Sequence, residues 1–181
     1  MVQPISRVPF VPALRPWAVW SWKFLYANPY ASHRGSIETA AMIVLDTNVV
    51  SELMLPSPDP TVEGWVAGRA AASLFFSAVS EAELRYGLEI MPTGRRRDAL
   101  AAEVEGMLRE DFAGRVLPFD REAARAYARI AADRRAAGRP ISHADCQIGA
   151  IARSRGMAVA TRNIRDFENM GVELIDPWTG E

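Results

Sequence analysis

From Met42 onward the chain alternates short apolar runs with longer stretches of helical period. Ile43-Val44-Leu45 is an unbroken apolar triplet that ends in Asp46-Thr47-Asn48, the pattern of a buried strand running into a polar turn. Leu74-Phe75-Phe76, Val116-Leu117, Ala158-Val159-Ala160 and the segment 172–175 read as four more strands. Helices fall between them. One over 49–55 is stopped by Pro56, Pro58 and Pro60, and one over 61–70 puts Val62, Trp65 and Val66 on one face. Ser77 or Ser80 caps a third that runs through Ile90 and is closed by Pro92 and Gly94. Residues 95–112 carry Leu100, Val104, Met107 and Leu108 at helical spacing. Asp120 is an N-cap for a helix through Ala137, with Ala124, Tyr127 and Ile130 on one stripe. Gly138 and Pro140 break the chain, Ser142 caps the next helix, and Gly156 ends it. Strands that alternate with helices predict an α/β sandwich around a mostly parallel sheet.

Residues 1–41 do not follow this pattern. Five prolines punctuate them, Trp17, Trp20 and Trp22 crowd their middle, and neither period is present. Pro12, Arg15 and Pro16 interrupt the one apolar stretch, which argues against a signal peptide. The domain boundary is therefore placed at Met42, with 1–41 a poorly ordered extension or a mis-called start, and the alternative an arm that docks its tryptophans on a partner.

The 181 residues are 49% hydrophobic and 24% charged, which suits one compact domain. No apolar run approaches the roughly 20 residues that span a bilayer. The single cysteine, Cys146, excludes an internal disulfide or a cysteine-rich zinc site and fits a reducing cytoplasm. Residues 1–41 hold four basic residues and one acid, leaving 17 basic and 21 acidic in 42–181, a net charge of −4. A nucleic-acid binder ordinarily carries a basic surplus. If this chain handles RNA, its acids must be gathered in one place and masked by metal. All 17 basic residues after Met42 are arginines, which suits bidentate phosphate contact or reflects genome composition.

The acids are placed unevenly. Ligands in open α/β sheets bind beyond the carboxyl ends of the strands. Asp46 lies at such an end, and Thr161, Asn163 and Asp166 follow the Ala158 strand in the same way. Glu83 and Asp145 lie inside otherwise apolar helices, where an ionised carboxylate is costly unless paired or bound to metal. Glu81 competes with Glu83 but faces another side of the helix. Asp145 is three residues after its cap Ser142, so a helix-capping role stands beside the metal role. Carboxylates with hydroxyl and amide neighbours, and no histidine or cysteine set, suit Mg²⁺ or Mn²⁺ and metal-assisted hydrolysis.

Four segments then act together: Met-Ile-Val-Leu-Asp-Thr-Asn-Val-Val-Ser-Glu at 42–52, Ser-Glu-Ala-Glu-Leu-Arg-Tyr-Gly at 80–87, Ile-Ser-His-Ala-Asp at 141–145 and Ala-Thr-Arg-Asn-Ile-Arg-Asp-Phe at 160–167. In this order and spacing they resemble the PIN-domain family, and within it the VapC/FitB-type toxins of type II toxin–antitoxin modules. The resemblance covers about the whole of 42–181. It implies a PIN-like three-layer sandwich and a Mg²⁺-dependent endoribonuclease, with Mn²⁺ as a possible substitute. By position, Asp46, Glu83 and Asp145 match the acidic triad and Asp166 the fourth acid. Asp46 and Asp145 are then the metal ligands, while Glu83 and Asp166 complete the pocket and take a proton from the attacking water. Thr47, Thr161 and Asn163 are the second-shell or substrate contacts, and Arg85 or Arg162 could steady a phosphate or be plain surface charge. The resemblance further implies a homodimer and a cognate antitoxin that inserts a segment into the acidic groove. The 41-residue prefix departs from the family pattern, which starts at the first strand.

Other readings are weaker. A haloacid-dehalogenase-type phosphatase needs a second acid where Asn48 stands, and a dinucleotide site needs glycines after the first strand. A catalytically degenerate module that only binds RNA or a partner is the non-enzymatic alternative. His143 reads as a cap-region or packing residue rather than a general base, and Cys146 as a small buried side chain.

Overall fold

The computed structural model describes residues 41–180. The expectations for residues 1–41 fall outside this range, apart from Ala41. Five strands form one sheet: β1 (Ile43–Leu45), β2 (Leu74–Ser77), β3 (Val116–Leu117), β4 (Ala158–Ala160) and β5 (Leu174–Ile175). Their order is β3-β2-β1-β4-β5, and every pairing is parallel. The central strand pairs Ile43 with Leu74 on one side and with Ala158 on the other. All three of its residues are buried, because helices cover both faces of a parallel sheet.

Among the described residues seven α-helices connect the strands: α1 (Thr47–Leu53), α2 (Pro60–Ala67), α3 (Ala78–Glu89), α4 (Arg95–Gly106), α5 (Arg121–Ala136), α6 (His143–Arg155) and α7 (Ile164–Phe167). Strand side chains alternate between two apolar layers. Ile43, Leu45, Ala158 and Ala160 pack with Val49, Val50, Val62, Trp65 and Val66. Val44 and Val159 face the other way, against Ile130, Ile148, Phe167 and Met170. The result is a three-layer α/β sandwich. The chain leaves β1 toward β2 on one side and returns to β4 on the other, so the strand order reverses at β1. Such a reversal opens a crevice at the carboxyl ends of the central strands.

The local signals behave largely as read. Ser77 caps α3 through Ser80 N, Asp120 caps α5 through Ala123 N and Ser142 caps α6 through Asp145 N, while Asp59, not singled out in the sequence, caps α2 through Thr61 N. Gly156 closes α6 at φ 65°, a left-handed conformation that favours glycine. Three details differ. The 95–112 helix ends at Gly106 and continues as a π-helical turn, Met107–Asp111, fastened by the Arg115 guanidinium, which donates to the carbonyls of Ala71, Leu74 and Asp111. On α5 the buried stripe is Ala123, Ile130 and Arg134; Ala124 is exposed, one residue off the inward face. Finally, α7 has only four residues, too few for periodicity to reveal it.

Candidate active site

Asp46 follows the last residue of β1 and caps α1. It is only 4% exposed. Its Oδ1 accepts from the backbone N–H of Thr47 at 2.7 Å. Its Oδ2 accepts from Asn48 Nδ2 and Thr161 Oγ1, each at 2.7 Å. Thr161, fully buried after β4, also accepts from Asn48 Nδ2 at 3.1 Å and from the Asn163 N–H at 3.0 Å. Asn48 Oδ1 in turn accepts from the Arg162 N–H at 3.3 Å. The loops after β1 and β4, adjacent strands, are thus tied by one polar network centred on a buried carboxylate.

The other acids surround this centre. Glu83, half-buried on α3, accepts from Thr47 Oγ1 at 2.6 Å. Asp145, half-buried in the first turn of α6, accepts from Ser142 Oγ at 2.6 Å, while Ser142 Oγ accepts the Asp145 N–H at 3.0 Å. This is an N-cap by Ser142 whose hydroxyl also holds the Asp145 carboxylate. It leaves Asp145 Oδ1 without a protein partner among the described residues. The carboxylates also sense each other. Burial, chiefly, pushes Asp46 up to about 7, with further upward pressure from the charges of Asp145 and Glu83 against the lowering bonds from Thr161 and Thr47. Burial likewise raises Glu83, opposed by the Thr47 hydroxyl and aided by Asp145. Burial raises Asp145 too, opposed by Ser142 and aided by the charge of Asp166. Asp166 itself is exposed on α7 and belongs to the rim. Asn163 is exposed and enters the network through its backbone.

Three carboxylates held above their ordinary range by burial and mutual repulsion are a poor arrangement without a cation. Among the described residues, no three His, Cys, Asp or Glu side chains stand close enough to surround one ion. The donor chemistry still fits Mg²⁺, which is commonly bound by one or two carboxylates and keeps several waters. Asp46 and Asp145, whose charges act on each other, could hold such an ion. Three of the roughly four lone-pair sites on Asp46 are taken by protein donors, which leaves one.

Asn48 is a member of this network that sequence reasoning left unassigned, although it stands in the Asp-Thr-Asn triplet. Arg85, a candidate for phosphate, is engaged elsewhere: its Nε meets Glu81 at 2.8 Å and its Nη1 meets Glu105 at 2.6 Å. Glu81 is accordingly a surface ion-pair residue. Arg162 lies over the Trp178 ring, 5.2 Å from its centroid. His143 Nδ1 shares a 2.7 Å hydrogen bond with Tyr127 Oη, a packing role. Cys146 is buried, and burial pushes its thiol up to about 11.

A buried aspartate thus sits at the switch point of a parallel α/β sandwich, with acids from two helices acting on its charge. The PIN domain profile matches residues 43–173, and the chain belongs to the PIN-domain family. It is 45% identical over 137 residues to the VapC ribonuclease Y4jK of Sinorhizobium fredii, covering 76% of this chain and 98% of that protein. It is 36% identical over 137 residues to Toxin FitB of Neisseria gonorrhoeae, covering 76% of this chain and 99% of that toxin. The crystal structure of FitAcB from Neisseria gonorrhoeae superposes with a TM-score of 0.72 at 36% identity, covering 76% of this chain and 99% of that one. Among the described residues no helix is long and apolar enough to cross a membrane.

Proposed function

We propose that the protein is the toxin of a type II toxin–antitoxin pair and acts as a Mg²⁺-dependent endoribonuclease at the Asp46 crevice. The observation that carries this reading is the buried Asp46 carboxylate, pinned by Thr161 and Asn48 and facing the charges of Asp145 and Glu83. The kinship with proteins named VapC ribonuclease and Toxin FitB supports it.

Asp46 and Asp145 would hold Mg²⁺, or Mn²⁺ in its place, and the ion would supply an acidified water and charge neutralisation at the phosphodiester. Thr161 and Asn48 fix the Asp46 carboxylate and would hold it ready for the ion. Thr47 orients Glu83, whose raised pKa suits it to accept a proton from the attacking water. Asp166 assists from the rim. By resemblance to the family, the toxin is a cytoplasmic homodimer, and a cognate antitoxin closes the crevice with an inserted segment.

The test is cleavage of a single-stranded RNA by the purified full chain with Mg²⁺, then with EDTA. Cleavage should require the cation and vanish in Asp46→Asn; full activity in that variant refutes the assignment. The alternative is a degenerate module that binds RNA or a partner without cutting. RNA binding with no cation-dependent cleavage selects that reading.

A further inference from the structure

A cavity of about 330 Å³ opens between the end of α5 and the start of α6, lined by Tyr127, Arg134, Arg135, Ile141, His143 and Cys146, among others. Its volume is that of a small-ligand site. Arg134 is the unusual member. It is 7% exposed, and its Nη1 donates to the Glu168 carbonyl at 3.0 Å. Among the described residues its Nε–H has no acceptor and no carboxylate forms an ion pair with it. A buried guanidinium with neither counter-ion nor full hydrogen bonding is costly, and its planar fork matches a phosphate. Arg135, next in sequence, is exposed and adds a second cation.

The remaining wall suits a base. Tyr127 and His143 lie side by side and nearly parallel, 14° between planes with centroids 6.4 Å apart, and are joined by the 2.7 Å Oη–Nδ1 bond. Phe119 braces Tyr127 edge-on at 6.0 Å. A flat, braced aromatic pair is a stacking platform. His143 and Cys146 are three residues apart, so they share one face of α6, while Asp145 in the same turn points elsewhere. The cavity and the acidic crevice therefore flank the first turn of one helix. Asp145 and the cavity-lining His143 and Cys146 thus sit within one turn of α6.

We propose that this cavity is a nucleotide subsite, in which Arg134 and Arg135 take the phosphate and the Tyr127–His143 pair takes the base of a nucleotide flanking the bond cut at Asp46. As part of a cleavage site, this rests on the ribonuclease reading above. Nucleotide binding itself is tested separately from cleavage.

The probes are AMP, UMP, adenosine, uridine and inorganic phosphate, titrated calorimetrically into the full chain in EDTA. The monophosphates should bind more tightly than the nucleosides and than phosphate. Arg134→Met, checked for a cooperative melt, should weaken monophosphate binding by roughly tenfold to a hundredfold. Arg135→Ala, at an exposed position, should weaken it severalfold and decides the matter if Arg134→Met does not fold. With Mg²⁺ and a short RNA, Arg135→Ala should raise KM with kcat within about twofold. Monophosphates that bind no better than nucleosides, or equally well to both variants, overturn the subsite. Phosphate binding as tight as AMP overturns it as a nucleotide site. Loss of the subsite with RNA cleavage intact leaves the ribonuclease reading standing. Arginine-dependent AMP binding in a chain that cuts no RNA does the reverse.

Discussion

Thr161 Oγ1 donates to Asp46 Oδ2 at 2.7 Å, joining residues 115 positions apart at the ends of adjacent parallel strands. Thr161 is completely buried and is bonded on every side. Thr161→Val keeps the shape and removes the hydroxyl, leaving the Asn163 N–H and one Asp46 oxygen short of a partner. The expected cost is about 1–3 kcal/mol in urea unfolding, with RNA cleavage lowered in the same variant. A stability within error of the parent would show that water replaces the hydroxyl.

The pH dependence has a defined sign. Burial lifts Asp46 from its ordinary 3.8 to about 7, so the folded chain binds this proton more tightly than the unfolded chain does. Between those two values the folded state holds more protons, and this site's contribution to stability falls as the pH rises. The penalty is complete above about 7 and absent below about 4. In EDTA the melting temperature should therefore carry a downward component from about pH 4 to pH 7, and Asp46→Asn should flatten that component. Saturating Mg²⁺ should raise the melting temperature of the parent most at the upper end of the range, by linkage.

Glu83 receives the Thr47 hydroxyl at 2.6 Å. If Glu83 takes the proton, Glu83→Gln should lower kcat by about 10²- to 10⁴-fold without unfolding the chain. Thr47→Val, which only releases Glu83, should lower kcat less and shift the acidic limb of the pH–rate profile. Equal losses in the two variants would argue that Thr47 has a role of its own.

Gly149 lies where α6 crosses the end of α7. A Cβ there would sit 2.2 Å from Met170 Sδ and 3.6 Å from Phe167 Cδ1, and both side chains are fully buried. Gly149→Ala should therefore destabilise the chain by about 1–3 kcal/mol through overpacking, despite the helix-favouring residue. A gain in stability would mean that Met170 finds another rotamer without cost.

The sequence alone determined the strand and helix order, because buried parallel strands are short apolar runs and capped helices announce their starts through Ser77, Asp120 and Ser142. It also singled out Asp46, Glu83 and Asp145, since acids at a strand end or inside an apolar helix demand a reason. The tertiary structure decided what these acids are bonded to. Asn48 became a ligand of Asp46, and Arg85 turned away to Glu81 and Glu105, because only packing sets which polar side chains meet. It also decided that Asp166 is a rim residue on a four-residue helix and that Ala123, not Ala124, faces inward. A helix that short carries no period, and a one-residue rotation on α5 is settled by its contact with α6. That Arg134 is buried without an ion pair among the described residues was beyond reach for the same reason: a cation's lack of a counter-charge is a property of three-dimensional surroundings, not of its neighbours in the chain.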